Sequence, residues 1–265
     1  MKVLFLGDII GKPGRRVLEK NLNHLVGKYE ADLVIANAEN SAGGIGISQK
    51  TCRNLLEIGI DVLTTGNHVF KKREIYDLLD KEKRLLKPAN YPPDTPGSGY
   101  NIYEIEKLGN LKVAVFNLCG RVFVENMDCP FRTMDRLLKY VSGKTPIIIV
   151  DMHAEVTSEK VAMGWYLNGR VSAVIGTHTH VQTADERILP GDGTAYITDV
   201  GMVGPRDSVI GVKKDNIIER FITGMPQKFT VAKEDVWISG AIIDIDGKSG
   251  QSRSIKRINY KANGE

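Results

Sequence analysis

Short apolar runs recur along the chain, each bounded by polar segments. Val3 to Leu6, Leu33 to Ala36, Val62 to Thr65, Ile147 to Val150 and Val171 to Ile175 are rich in Val, Ile and Leu and have the length of buried strands. Between them lie stretches with helical spacing, such as Val17-Asn21-Leu22-Leu25 and Ile75-Leu78-Leu79. Strand followed by helix, repeated, predicts an α/β fold with a largely parallel sheet.

Two regions break this rhythm. Lys87 to Gly99 holds four of the ten prolines and reads as a long irregular loop. It leads into a hairpin, Tyr100 to Glu106 and Lys112 to Asn117, with Gly109-Asn110 at the turn. Trp237 to Asp246 and Ser252 to Tyr260 alternate like a second hairpin around Gly247 to Gly250. These additions suggest a second sheet packed on the first. No linker, repeat or low-complexity tract interrupts the chain, so residues 1–265 are expected to form a single domain.

Composition narrows the class. With 265 residues, 42% hydrophobic and 26% charged, the chain has the make-up of an ordinary globular protein, which excludes disorder and a disulfide miniprotein. The net charge of +4 suits an anionic substrate but is too small to argue for a nucleic-acid coat. Cys52, Cys119 and Cys129 are odd in number and lack CxxC spacing, so they read as reduced thiols. The apolar start is too short for a signal peptide and no run of eighteen apolar residues exists, which points to a cytoplasmic protein without a membrane partner.

The chemistry sits at the ends of the strands. Gly7-Asp8, Glu39-Asn40, Gly66-Asn67-His68, Asp151-Met152-His153 and Gly176-Thr177-His178-Thr179-His180 each follow one of the five apolar runs. In an open α/β sheet, ligands bind outside the carboxyl ends of the strands. Of the five histidines, only His24 lies outside this set. His178 and His180 are alternate residues of an extended segment, so their imidazoles point the same way, as two ligands of one ion would. Carboxylate, carboxamide and imidazole without thiolate argue against a structural zinc site. The donors exceed what one ion needs, and two ions ~3.5–4 Å apart fit better.

These residues resemble the metallophosphoesterase superfamily. Within it, GDIIGKPGR, NAENSAGGIGIS, TTGNHVF, the stretch from Asp151 to Thr194 and AYITDVGMVGP resemble the YmdB-type bacterial phosphodiesterases, from Met1 to about Ile258. The resemblance implies a four-layer α-β-β-α sandwich. It also implies two divalent or mixed-valence transition-metal ions per chain, with iron first and manganese or zinc as alternatives. Asp8, Glu39, Asn40 and His180 would hold one ion, and Glu39, Asn67, His153 and His178 the other, with Glu39 bridging. His68 would be the proton donor, and a bridging hydroxide would open nucleoside 2′,3′-cyclic phosphates to 3′-monophosphates. Two positions depart from the wider superfamily. Ile10 stands where Asp-x-His would place an imidazole, a gap that Asn40 fills. Val69-Phe70-Lys71 follow Gly-Asn-His without the usual acidic residue, which leaves His68 without an assigned orienting partner.

Other readings have less support. GDIIGKPG is not a P-loop, since Gly7 and Gly11 are separated by three residues and Pro13 replaces the magnesium-binding Ser or Thr. The glycine-rich stretch Ser41 to Ser48 is either a plain loop or a backbone cradle for substrate phosphate. A broader phosphodiesterase, an RNA-directed nuclease or a non-catalytic nucleotide sensor would use the same site. With 7% aromatic residues and no basic stacking platform, a small cyclic nucleotide is favoured over nucleic acid. A homo-oligomer is compatible with the sequence.

Overall fold

Alternation along the first strand sets the layering. In the computed structural model, which describes residues 1–124 and 126–262, β1 (Lys2–Leu6) turns Val3 and Phe5 toward one core and Leu4 and Leu6 toward another. The chain continues through β2 (Asp8–Ile9), α1 (Gly11–Tyr29), β3 (Leu33–Asn37), α2 (Gln49–Glu57), β4 (Val62–Thr64) and α3 (Tyr76–Leu79). After the proline-rich loop come β5 (Tyr100–Ile105), β6 (Leu111–Cys119), α4 (Pro130–Val141), β7 (Ile148–His153), α5 (Thr157–Leu167) and β8 (Ala173–Thr177). The last part holds β9 (Arg187–Ile188), β10 (Ala195–Ile197), β11 (Met202–Pro205), α6 (Lys214–Thr223), β12 (Val236–Ile245) and β13 (Ser252–Lys261). No described helix is long and apolar enough to cross a membrane.

The strands form two sheets. The first has seven strands in the order β2-β11-β12-β1-β3-β4, with β13 paired to β12 off this path. The second has six, in the order β5-β6-β7-β8-β10-β9. Val3, Phe5, Ile35 and Ile243 from the first sheet meet Val113, Val115, Ile149 and Ile175 from the second in a buried apolar layer. On the outer face of the first sheet, Leu18, Leu22 and Leu25 of α1 and Leu55 of α2 cover Leu4 and Leu6. On the outer face of the second, Met134 and Leu138 of α4 and Met163 and Leu167 of α5 cover Phe116, Ile148 and Val150. The architecture is the four-layer α-β-β-α sandwich. Burying each such side chain contributes about 1.5–3 kcal/mol, which fixes the register of every strand.

Two expectations need correcting. The largely parallel sheet is found only at the centre of the second, where β6, β7, β8 and β10 run parallel; the first is mixed, with β12 antiparallel to β1, β11 and β13. The C-terminal hairpin does not belong to the second sheet. β12 pairs antiparallel with β1, Phe5 opposite Ala241, and so lies inside the first sheet. The hairpin of β5 and β6 does join the second sheet, and its turn residues Gly109 and Asn110 both have positive φ, as the sequence suggests.

Candidate active site

The five strand ends come from both sheets. The turn from β1 into β2 and the ends of β3 and β4 deliver Asp8, Glu39, Asn40, Asn67 and His68 from the first, and β7 and β8 deliver His153, His178 and His180 from the second. Asp8, Glu39 and His153 are fully buried.

Glu39 lies at the centre. Its Oε1 is 3.1 Å from His153 Nε2 and 3.2 Å from both His68 Nδ1 and Asn40 Nδ2. Its Oε2 accepts the His68 backbone N–H at 3.1 Å. His178 Nδ1 is 3.0 Å from His153 Nε2, and the His178 N–H donates to Asp8 Oδ2 at 3.1 Å. Asn40 Nδ2 is 3.3 Å from His180 Nε2, whose nearest carboxylate oxygen is Asp8 Oδ1 at 3.7 Å. Donor atoms of Glu39, His153 and His178 all fall within 4.8 Å of one another, a spacing that can hold a metal ion. Gly66 makes this closeness possible, since a Cβ there would sit 2.2 Å from His153 and 2.3 Å from Glu39 Oε2.

The charges are arranged unevenly. Burial works against a charged His153, but the Glu39 carboxylate outweighs it and raises the imidazole to about 9. Burial and the neighbouring His153 charge push His178 down to about 3, leaving it neutral, the form in which imidazole binds metal. Burial also pushes Asp8 upward, while His153 and His68 hold Glu39 well below the usual carboxylate range against its own burial.

The donor set fits transition-metal ions. Among the described residues, Asp8 Oδ1 and Asn67 Oδ1 are buried without a hydrogen-bond partner. Such atoms are costly unless something else satisfies them, and a cation does so. Oxygen and imidazole donors without thiolate suit iron, manganese or zinc.

Residues that sequence reasoning left without a role hold these donors in place. His153 Nδ1 meets Thr177 Oγ1 at 2.8 Å, and that hydroxyl donates to Asp151 Oδ1 at 2.7 Å. His180 Nδ1 donates to the Ile210 carbonyl at 2.8 Å, which turns Nε2 toward Asn40 and Asp8. Buried Asp199 accepts from Thr179 N–H, Thr179 Oγ1 and Lys160 Nζ, and so clamps the segment between the two histidines, which is not extended as the sequence suggests: both have positive φ, and their rings meet different partners, His153 and Asn40. An aspartate inside the apolar run of AYITDVGM is a sequence signal for such a buried clamp. His68 also gains its orienting partner: Nδ1 lies 2.9 Å from Asn40 Oδ1.

An α-β-β-α sandwich carrying carboxylate, carboxamide and imidazole donors on its strand ends defines a metallophosphoesterase-type hydrolase fold. The sequence model of the YmdB-like protein family matches residues 4–258, and the chain belongs to that family. Over 258 residues, 97% of this chain and 96% of the relative, it is 47% identical to the 2′,3′-cyclic-nucleotide 2′-phosphodiesterase of Bacillus subtilis (strain 168). Among solved structures, a hypothetical protein from Thermus thermophilus superposes with a TM-score of 0.92 at 40% identity, covering 99% of this chain and 100% of the other. A novel phosphatase from Mycoplasma pneumoniae gives 0.91 at 37% identity, covering 98% and 93%.

Proposed function

We propose that the chain is a metal-dependent 2′,3′-cyclic-nucleotide 2′-phosphodiesterase that releases nucleoside 3′-monophosphates, with residues 1–265 acting as one catalytic domain in the cytoplasm. The observation that carries this reading is Glu39, whose two oxygens reach donors from both sheets. The identity to the Bacillus subtilis enzyme along nearly the whole chain supports the substrate class.

Asp8, Asn40 and His180 would hold one ion and Asn67, His153 and His178 the other, with Glu39 shared. When bound, the pair supplies charge to the phosphoryl oxygens and makes hydroxide available near neutral pH. Iron is the first candidate. The chain's own residues do the rest. Asn40 Oδ1 and Glu39 Oε1 anchor His68 Nδ1, leaving Nε2 free to give a proton to the departing 2′-oxygen. The Ile210 carbonyl and the Asp199 clamp fix the orientation of the histidines before substrate arrives.

The test is a substrate panel on metal-loaded protein: 2′,3′-cyclic AMP, 3′,5′-cyclic AMP, an aryl phosphodiester and short RNA. Preference for the 2′,3′-cyclic substrate is expected, because strain in its five-membered ring lowers the barrier. Preference for RNA or the 3′,5′ isomer overturns the substrate assignment, and inactivity on every phosphoester overturns the enzymatic reading.

A further inference from the structure

Beside the candidate metal-binding residues lies a cavity of about 330 Å³ with mainly apolar walls. Ile45 enters from the glycine-rich loop after β3, Ile210 from the turn before α6, and Phe229 and Val231 from the segment after α6. His68 and His180 line its polar end. The volume is that of a small-ligand site. Ile45, Ile210 and Phe229 are 43%, 50% and 58% exposed, so three large apolar side chains face water around one polar end. That combination is typical of a binding cavity and unfavourable for a surface that stays bare.

Three observations select the occupant. Ile210 has φ +47°, the left-handed region that a β-branched side chain adopts only under strain. The strained residue is held by the Val209–Val212 pairing on either side and by the His180 hydrogen bond. Its conformation therefore serves both the histidine and the cavity wall.

The glycine-rich loop, secondly, is not free to cradle phosphate through its backbone at two key positions. Gly44 N–H donates to the Asn40 carbonyl at 3.2 Å and Ala42 N–H to that of Gly46 at 2.9 Å. A Cβ on Gly44 would lie 2.7 Å from Val231 Cγ2, so the loop packs against the segment after α6 and contributes an apolar wall.

The third observation is stereochemical. In a ribose 2′,3′-cyclic phosphate, the 2′-oxygen is carried by the carbon next to the one that bears the base, and the 3′-oxygen is one carbon farther away. A base seated in the cavity that His68 lines brings the 2′-oxygen nearest that imidazole.

We propose that this cavity receives the nucleobase of the substrate, with Phe229 as its stacking surface, and that seating the base there selects the 2′ bond for cleavage. The proposal rests on the phosphodiesterase reading of the same site. The Phe229 ring is steadied by Arg220, whose guanidinium carbon lies 5.1 Å from the ring centroid. The polar groups of the wall, Asn40, His68 and His180, are all engaged at the catalytic end. Recognition through apolar stacking is tolerant of sequence, so all four bases should be accepted.

Two measurements test this on the full chain: adenosine binding by calorimetry, and kinetics with 2′,3′-cyclic AMP against ribose 2′,3′-cyclic phosphate, which lacks a base. Phe229→Ala should weaken adenosine binding and raise KM for the nucleotide about tenfold, with a far smaller effect on the base-free diester. Phe229→Trp should restore both. The wild type should release only the 3′-monophosphate, and Phe229→Ala a measurable fraction of the 2′ isomer. Equal losses on both substrates, or adenosine binding indifferent to residue 229, overturn the cavity assignment and leave the phosphodiesterase reading intact. An unchanged product ratio in Phe229→Ala overturns the selection of the 2′ bond. Adenosine binding that depends on Phe229 in a protein that cleaves no cyclic nucleotide overturns the reaction reading instead, and the bond selection with it.

Discussion

Asn37 on β3 donates its side-chain amide to Asp151 on β7 at 3.1 Å, a polar contact between the two sheets directly beneath the candidate active site. Both residues are fully buried. The hydroxyls of Thr64 and Thr177 also donate to Asp151, and the same Thr177 hydroxyl meets His153 Nδ1. One carboxylate thus joins the first sheet, the second sheet and a candidate metal-binding histidine.

Asp151→Ala removes the acceptor for three buried donors. We expect a loss of about 3 kcal/mol in urea denaturation together with a clear drop in metal content. Asp151→Asn, which keeps an oxygen in place, should lose less of both. Equal stability of all three proteins would remove Asp151 from this role.

Glu39→Ala should strip most of the bound metal, since its carboxylate is the group shared by both candidate ion positions. Elemental analysis of wild type supplemented with metal should give close to two ions per chain. A single ion in the supplemented wild type would rule out the paired site.

Gly66→Ala tests the close approach of the turn after β4 to the donors. A methyl group 2.2 Å from His153 and 2.3 Å from Glu39 cannot be accommodated without moving them. Metal content and diesterase activity should fall together while circular dichroism stays near that of wild type. Full metal loading in the variant would show that the site tolerates the displacement.

His68→Ala separates proton transfer from metal binding. Its rate on a cyclic nucleotide should drop about 10²–10⁴-fold with metal retained. An activated aryl diester, whose leaving group barely needs a proton, should lose less. Identical losses on both substrates would make His68 structural, and loss of metal would make it a ligand.

Much of this arrangement is legible in the sequence, because its signals are local. Gly66-Asn67-His68 and His178-Thr179-His180 sit directly after apolar runs, and the chain direction alone brings strand ends to one side of a sheet. Sheet membership is not local. The alternation of Trp237 to Asp246 announces a strand but not its neighbour, and only the finished fold places Ala241 opposite Phe5. β9, β10 and β11 are silent in the sequence because two to four residues carry no readable period. The supports are hidden for a related reason. Asn37, Lys160 and Ile210 act across 114, 39 and 30 residues of sequence respectively, through contacts that no window reveals.

Asp185 offers a measurement of acid stability away from the site. Burial raises its carboxyl, but hydrogen bonds from Thr183 and Thr198 outweigh this and hold it below the ordinary value. A depressed folded-state value adds stability above about pH 4, the unfolded value, and that stability is lost as pH falls through the folded one. The wild type should therefore exceed Asp185→Asn in stability at neutral pH, with the gap closing progressively below pH ~4. A gap that stays constant across that range would show that the charge contributes nothing.

Ile210 carries two duties on one peptide unit: its carbonyl sets the tautomer of His180, and its side chain lines the neighbouring cavity. A substitution that reshapes the wall also relieves or worsens the left-handed backbone, and so reaches the histidine. Changes at position 210 should therefore be strongly epistatic with changes at position 180. Lineages that adapt their substrate preference would find Ile45 open to exchange, whereas position 210 would change only in company.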